Sequence, residues 1–156
     1  KRGTDARAWE LASHAWRGRC VLKEPGPVLA GTLVFLGSGA GGLLRYFLGD
    51  LVKNWHNANF PTGTLFVNVS GCLVMGLCVG AWSGATPMRE DVRLALLIGV
   101  LGGYTTFSSF GRDFYVLALE GAWLKALLYA ATSVVLSLLC VWIGAAAASR
   151  FIASPA

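Results

Sequence analysis

An all-α membrane protein with four transmembrane helices per subunit, the third broken in mid-membrane, is the fold class this sequence predicts, and three observations carry it. The chain of 156 residues is 55 % hydrophobic and 13 % charged, with a mean hydropathy of +0.59. That is too apolar for an ordinary soluble domain. It holds four apolar runs, at 28–49, 63–83, 93–118 and 122–149, each near the roughly 20 helical residues that a hydrocarbon layer of about 30 Å requires. The third run contains Gly102-Gly103-Tyr104-Thr105-Thr106-Phe107-Ser108-Ser109-Phe110, where a spanning helix normally shows aliphatic residues.

Residues 1–27 form a basic tail outside these runs. Trp9, Ala12 and Trp16 share a helical face, and Arg7, Arg17, Arg19 and Lys23 add charge, so the tail is expected either to lie on the membrane surface or to be disordered. Pro25-Gly26-Pro27 ends any helix before the first span. No apolar run precedes that span, so no secretory signal is expected. The four-helix transmembrane domain is therefore expected within 28–152.

The first span is glycine-rich and ends in Arg45-Tyr46. The second carries Gly76, Gly80 and Gly84 at intervals of four, a spacing that lets helices approach closely. In the same span Thr64 and Asn68 lie on one face, and an amide at that depth needs partners. In the third, the adjacent Gly102 and Gly103 release backbone conformations that a helix forbids, and the β-branched pair Thr105-Thr106 lowers the helical preference further. An unsatisfied backbone group in hydrocarbon costs several kcal/mol. Such a break persists where it is buried in protein, lines a watery cavity or ligates an ion; the alternative is a Gly-Gly kink with back-bonded Ser and Thr. The fourth span repeats Tyr129, Ser133 and Ser137 every four residues, a hydroxyl stripe on an aliphatic helix. Phe107 and Phe110 are i, i+3 neighbours whose ring edges are electropositive, though aromatics in such helices also serve as filler.

The charges exclude several function classes. Arg45, Arg112 and Asp113 map near span ends, and the centres of the spans hold no ionisable acid, base or histidine. A proton-coupled carrier needs a relay at that depth, and intramembrane proteolysis is disfavoured because His14 and His56 lie outside the spans. The net charge of +5 sits mostly outside the apolar runs, so it bears on orientation and gives no reason to expect nucleic acid. Cys20, Cys72, Cys78 and Cys140 lack metal-ligand spacing and read as small hydrophobes. What remains is a passive pathway lined by neutral donors, which suits a small anion. Arg89, Arg93 and Arg150 on one side balance Arg45, Lys53, Arg112 and Lys125 on the other, so the core is expected to insert either way up, with the tail drawing its own side to the cytoplasm.

Three blocks, Gly41-Gly42-Leu43-Leu44-Arg45-Tyr46, Gly63-Thr64-Leu65-Phe66-Val67-Asn68-Val69-Ser70-Gly71 and Gly99-Val100-Leu101-Gly102-Gly103-Tyr104-Thr105-Thr106-Phe107-Ser108-Ser109-Phe110, closely resemble the signatures of the Fluc/CrcB fluoride channels. The likeness covers residues 28–152 in order and spacing. It implies a fluoride-selective channel, not an enzyme, that exports fluoride passively across the inner cell membrane as an antiparallel, dual-topology homodimer with a central structural sodium ion. By motif, Asn68 resembles the pore amide and Phe107 and Phe110 the paired pore phenylalanines. Thr64, Ser108, Tyr129, Ser133 and Ser137 join them along the fluoride pore, Arg45 resembles the vestibule arginine, and Gly102 and Thr105 resemble the positions whose backbone carbonyls hold Na+. Ser109 stands where the family more usually has Thr, and the tail lies outside the family pattern. A small multidrug-type four-span antiporter is the alternative, but that class depends on a buried Glu in its first helix and residues 28–44 contain no acid. A purely structural four-helix scaffold would leave Asn68 and the broken helix without a purpose.

Overall fold

The computed structural model describes residues 25–56, 60–82 and 89–153. They form helix α1 (Pro27–His56), helix α2 (Thr62–Trp82), helix α3 (90–104), helix α4 (Phe107–Leu119) and helix α5 (Trp123–Ala153). The tail at 1–24 and Gly84 lie outside the described residues. Among the described residues four stretches are long and apolar enough to cross a membrane, Pro27–Trp55, Thr62–Trp82, Glu90–Leu119 and Trp123–Arg150, and the third of them contains both α3 and α4.

Helix α1 begins at Pro27, whose missing N–H costs nothing at a first helical position. It runs seven residues past the apolar stretch, and the Asn54 amide donates to the Asp50 carboxylate one turn back at 3.1 Å along that extension. Between α4 and α5 the chain turns on Gly121 at φ 72°, with Gly121 N donating to Ala118 O at 3.0 Å and Ala122 N to Leu117 O at 2.9 Å. This pair of bonds closes the carbonyl end of α4, and its left-handed residue is one that glycine adopts without penalty.

Two close helix pairs organise the bundle. Helices α2 and α5 pack along their length, with Gly76 and Gly80 set against the backbones of Val141 and Ala145. Helix α1 packs on α3, where a Cβ at Gly103 would come within 2.5 Å of the Ser38 carbonyl oxygen. Small residues are what bilayer helices need to bring their backbones together, because lipid supplies no hydrophobic drive between helices. The outer surface is correspondingly apolar, including Phe35, Phe47, Trp142 and Ile143.

The third span is interrupted, but not at its glycines. Gly102–Tyr104 is helical, and the break falls on Thr105 (φ −77°, ψ 156°) and Thr106 (φ −152°, ψ 119°), both extended. The glycine pair serves close approach to α1, while the β-branched pair takes the extended conformation that suits it. Upstream, Leu94–Leu101 is π-helical, a wide-turn geometry that often accompanies functional sites and that no residue pattern had announced.

Candidate functional site

The break is held by α2. In a continuous helix Thr106 N–H would bond the Gly102 carbonyl; here it donates to Asn68 Oδ1 at 2.8 Å, and Asn68 Nδ2 returns a bond to Thr106 O at 3.0 Å. One amide side chain thus satisfies both polar groups of one extended residue. Ser109 N–H, which a continuous helix would direct to the Thr105 carbonyl, bonds Thr106 Oγ1 at 3.2 Å, so Thr106 is the N-cap of α4. These substitutions release the Gly102 and Thr105 carbonyls from their helical partners. The second Nδ2 hydrogen of Asn68 is left over once Thr106 O is satisfied.

Beside the break runs a groove of about 350 Å³ lined by Asn68, Thr105, Thr106, Phe107, Phe110, Ser133 and Ser137, with Cys72, Met75 and Leu138 among its apolar walls. Phe107 is 81 % exposed. Its ring centroid lies 5.2 Å from that of Phe110, which lies 5.2 Å from that of Tyr129, and Phe60 closes the series edge-on to Tyr129 at 5.6 Å. Tyr129 and Ser133 are buried, and neither hydroxyl makes a hydrogen bond of normal geometry within the described residues, although Thr64, Asp113 and Ser133 are close enough to act on the Tyr129 hydroxyl. Buried hydroxyls without well-formed partners are uncommon, so these two stand out beside the groove.

A second cavity, of about 290 Å³, opens on the other side of Thr106. Arg45, Lys53 and Arg112 line it together with Asp50 and Asp113, Phe60, Pro61 and Thr64. Asp113 accepts from Thr64 Oγ1 at 2.6 Å and from Arg112 at 2.7 Å, with its side chain only 12 % exposed.

The residues singled out in the sequence therefore divide. Asn68, Phe107, Phe110, Ser133 and Ser137 meet at the groove, with Thr105 in its wall and Gly102 one turn back on α3. Arg45 and Thr64 line the second cavity instead, and the Thr64 hydroxyl is engaged by Asp113. Tyr129 is buried between the two cavities' aromatic walls, and the exposed Ser108 reaches the break through a 3.2 Å contact with Thr106 Oγ1. Two participants were missed. Thr106 lines both cavities, and Asp113 was read as a mere span-end charge although it belongs to a paired cluster inside α4. The adjacency of opposite charges at Arg112-Asp113 was the available signal.

Together these features define a four-span, multi-pass membrane protein built round an interrupted helix. A family profile described as CrcB-like protein, Camphor Resistance (CrcB), matches residues 32–145, and the chain belongs to that family. Among curated proteins it is 43 % identical over 118 residues to the "Fluoride-specific ion channel FluC" of Solibacter usitatus, covering 76 % of this chain and 97 % of that protein. The protein of the same name from Rhodopseudomonas palustris is 43 % identical over 114 residues, 73 % of this chain and 92 % of the relative. That of Beijerinckia indica is 46 % identical over 108 residues, 68 % and 85 %.

Proposed function

We propose that this protein is a fluoride-selective channel subunit that lets fluoride leave the cell passively, with no enzyme chemistry. The observation that carries the reading is the groove at the break, where an amide, several hydroxyls and two phenylalanine rings converge without a full charge among them. Neutral donors can replace the water of a small anion without trapping it, and the names of the relatives supply the halide. The multidrug-type antiporter has no support here, since the only carboxylate on α1 is Asp50, near its C-terminal end.

In this reading Asn68, Phe107, Phe110, Ser133 and Ser137 receive fluoride along the groove, Ser108 and Tyr129 flank it, and Arg45 and Thr64 serve the vestibule. A structural sodium ion suits the break: the Gly102 and Thr105 carbonyls are both freed from helical bonding, and main-chain oxygens are ligands for a hard cation of low charge. Two carbonyls are too few for such an ion, which favours a second, antiparallel copy supplying the same pair. The near-even, three-against-four charge balance of the core allows both orientations in an inner membrane. The test is fluoride efflux from liposomes holding the purified protein, with chloride as control. Fluoride release without chloride release is the expected result, and equal release of both ions overturns the selectivity.

A further inference from the structure

The break touches α2 at a second place that the pore reading does not use. Tyr104, the last helical residue of α3, is buried, and its hydroxyl lies 2.8 Å from Ser70 Oγ. Ser70 Oγ also lies 3.2 Å from Val67 O, so its one hydrogen can serve that carbonyl while the Tyr104 hydroxyl donates to Ser70, or it can turn to Tyr104 itself. The ring lies over Gly71, where a Cβ would come within 3.1 Å of Tyr104 Cδ1 and would also collide with the Thr105 methyl. Residues 68, 70 and 71 thus form a cradle: Asn68 takes Thr106, Ser70 takes the Tyr104 hydroxyl, and Gly71 leaves room for the ring and for Thr105.

The geometry points to Tyr104 and Ser70 as a positioning pair that fixes the upstream end of the break, as Asn68 fixes the downstream end. Thr105 sits between the two anchors, and the direction of its carbonyl follows from both. Gly103 seats the last turn of α3 on α1, and the two anchors spaced along α2 hold the chain on either side of Thr105. Sites hold their geometry when the groups around them are locked in this way. The inference rests on the channel reading for its consequence, loss of flux, and on the break alone for its physical content.

The test uses the full chain in liposomes, with Tyr104→Phe, Ser70→Ala, the double variant and Ser70→Thr. Each single variant lowers fluoride flux about fivefold, the scale of one lost hydrogen bond, the double variant falls no further, and Ser70→Thr, which keeps the acceptor, retains the flux. Amide hydrogen exchange at Thr105 and Thr106 speeds up in both single variants and no more in the double. Wild-type flux with wild-type exchange in Tyr104→Phe overturns the pair, and so do single effects that multiply in the double variant. If the unaltered protein passes no fluoride, the channel reading fails, and the exchange pattern alone decides whether the two residues act as one anchor.

Discussion

The two cavities that meet at Thr106 differ in the one property that separates attracting an anion from letting it go. The cavity proposed as the vestibule is lined by three cationic and two anionic side chains, whereas the groove has no carboxylate, ammonium, guanidinium or imidazole in its wall among the described residues. A unit charge 4 Å from an anion is worth about 4 kcal/mol at an effective dielectric of 20. A neutral hydrogen bond contributes about 1 kcal/mol net. A cation in the groove would hold the ion, while a cation at the mouth raises its local concentration and remains in contact with water. Asp113 tempers the mouth by pairing with Arg112, leaving Arg45 and Lys53 as its cations without a salt bridge among the described residues.

The largest effect is expected where the groove depends on the break. Asn68→Asp puts an oxygen against the Thr106 carbonyl in place of a donor and adds a negative charge to the path. Lost bonding plus repulsion of about 3 kcal/mol corresponds to roughly a 100-fold drop in fluoride flux. Flux within a few-fold of wild type would return Asn68 to the role of interhelical glue.

Next come the rings. Phe107→Ile and Phe110→Ile keep bulk and delete the positive edge, and both should cut flux by about tenfold or more. Their stabilities separate them. Phe110 packs on Tyr129 and the buried cluster around Leu117, so its replacement should also cost about 1–3 kcal/mol of unfolding free energy. Phe107 is 81 % exposed and should cost almost none. A Phe107→Ile protein with wild-type flux assigns that ring to lipid or partner contact.

How much of this was legible follows from how far apart the cooperating residues lie. The four spans could be read because the bilayer imposes a length of apolar chain on each one, and the read boundaries missed mainly where α1 continues through polar residues to His56. The interruption is visible in composition across residues 102–106, but not its confinement to Thr105-Thr106, because the packing that keeps the glycines helical against Ser38 depends on a helix 65 residues away from Gly103 in sequence. The Asn68 amide announced itself as a polar group needing partners, but not that its partner is Thr106, 38 residues on. Thr64 with Asp113, separated by 49 positions, and the π-helical stretch left no local signature.

Ser133 offers a finer test of the groove. Its buried hydroxyl makes no hydrogen bond of normal geometry among the described residues, so Ser133→Ala removes a poorly satisfied group and should leave stability unchanged or raise it by up to about 1 kcal/mol. A hydroxyl kept for a passing ion should nonetheless be missed in transport, by about fivefold on the same energy scale. Opposite signs for stability and flux are the expected signature, measured by thermal unfolding and liposome efflux on one preparation. Flux that tracks stability would make the hydroxyl a packing residue.

The smallest effect should come from the vestibule, and salt identifies it. Arg45→Gln removes a charge that acts at a distance through partly aqueous space, so at low ionic strength fluoride conductance should fall by a few-fold. The Debye length shrinks from about 30 Å at 0.01 M to about 3 Å at 1 M, less than the reach of the vestibule field. The difference between Arg45→Gln and wild type should therefore close as an inert salt is added, while the deficit of Asn68→Asp, which lies in hydrogen bonding at the break, should persist. Single-channel or flux titration with a large impermeant anion measures both variants side by side. If the Arg45→Gln deficit is unmoved by salt, Arg45 acts by direct contact with the ion or by holding the mouth in shape, and the division between a gathering vestibule and a releasing groove gives way to one continuous binding path.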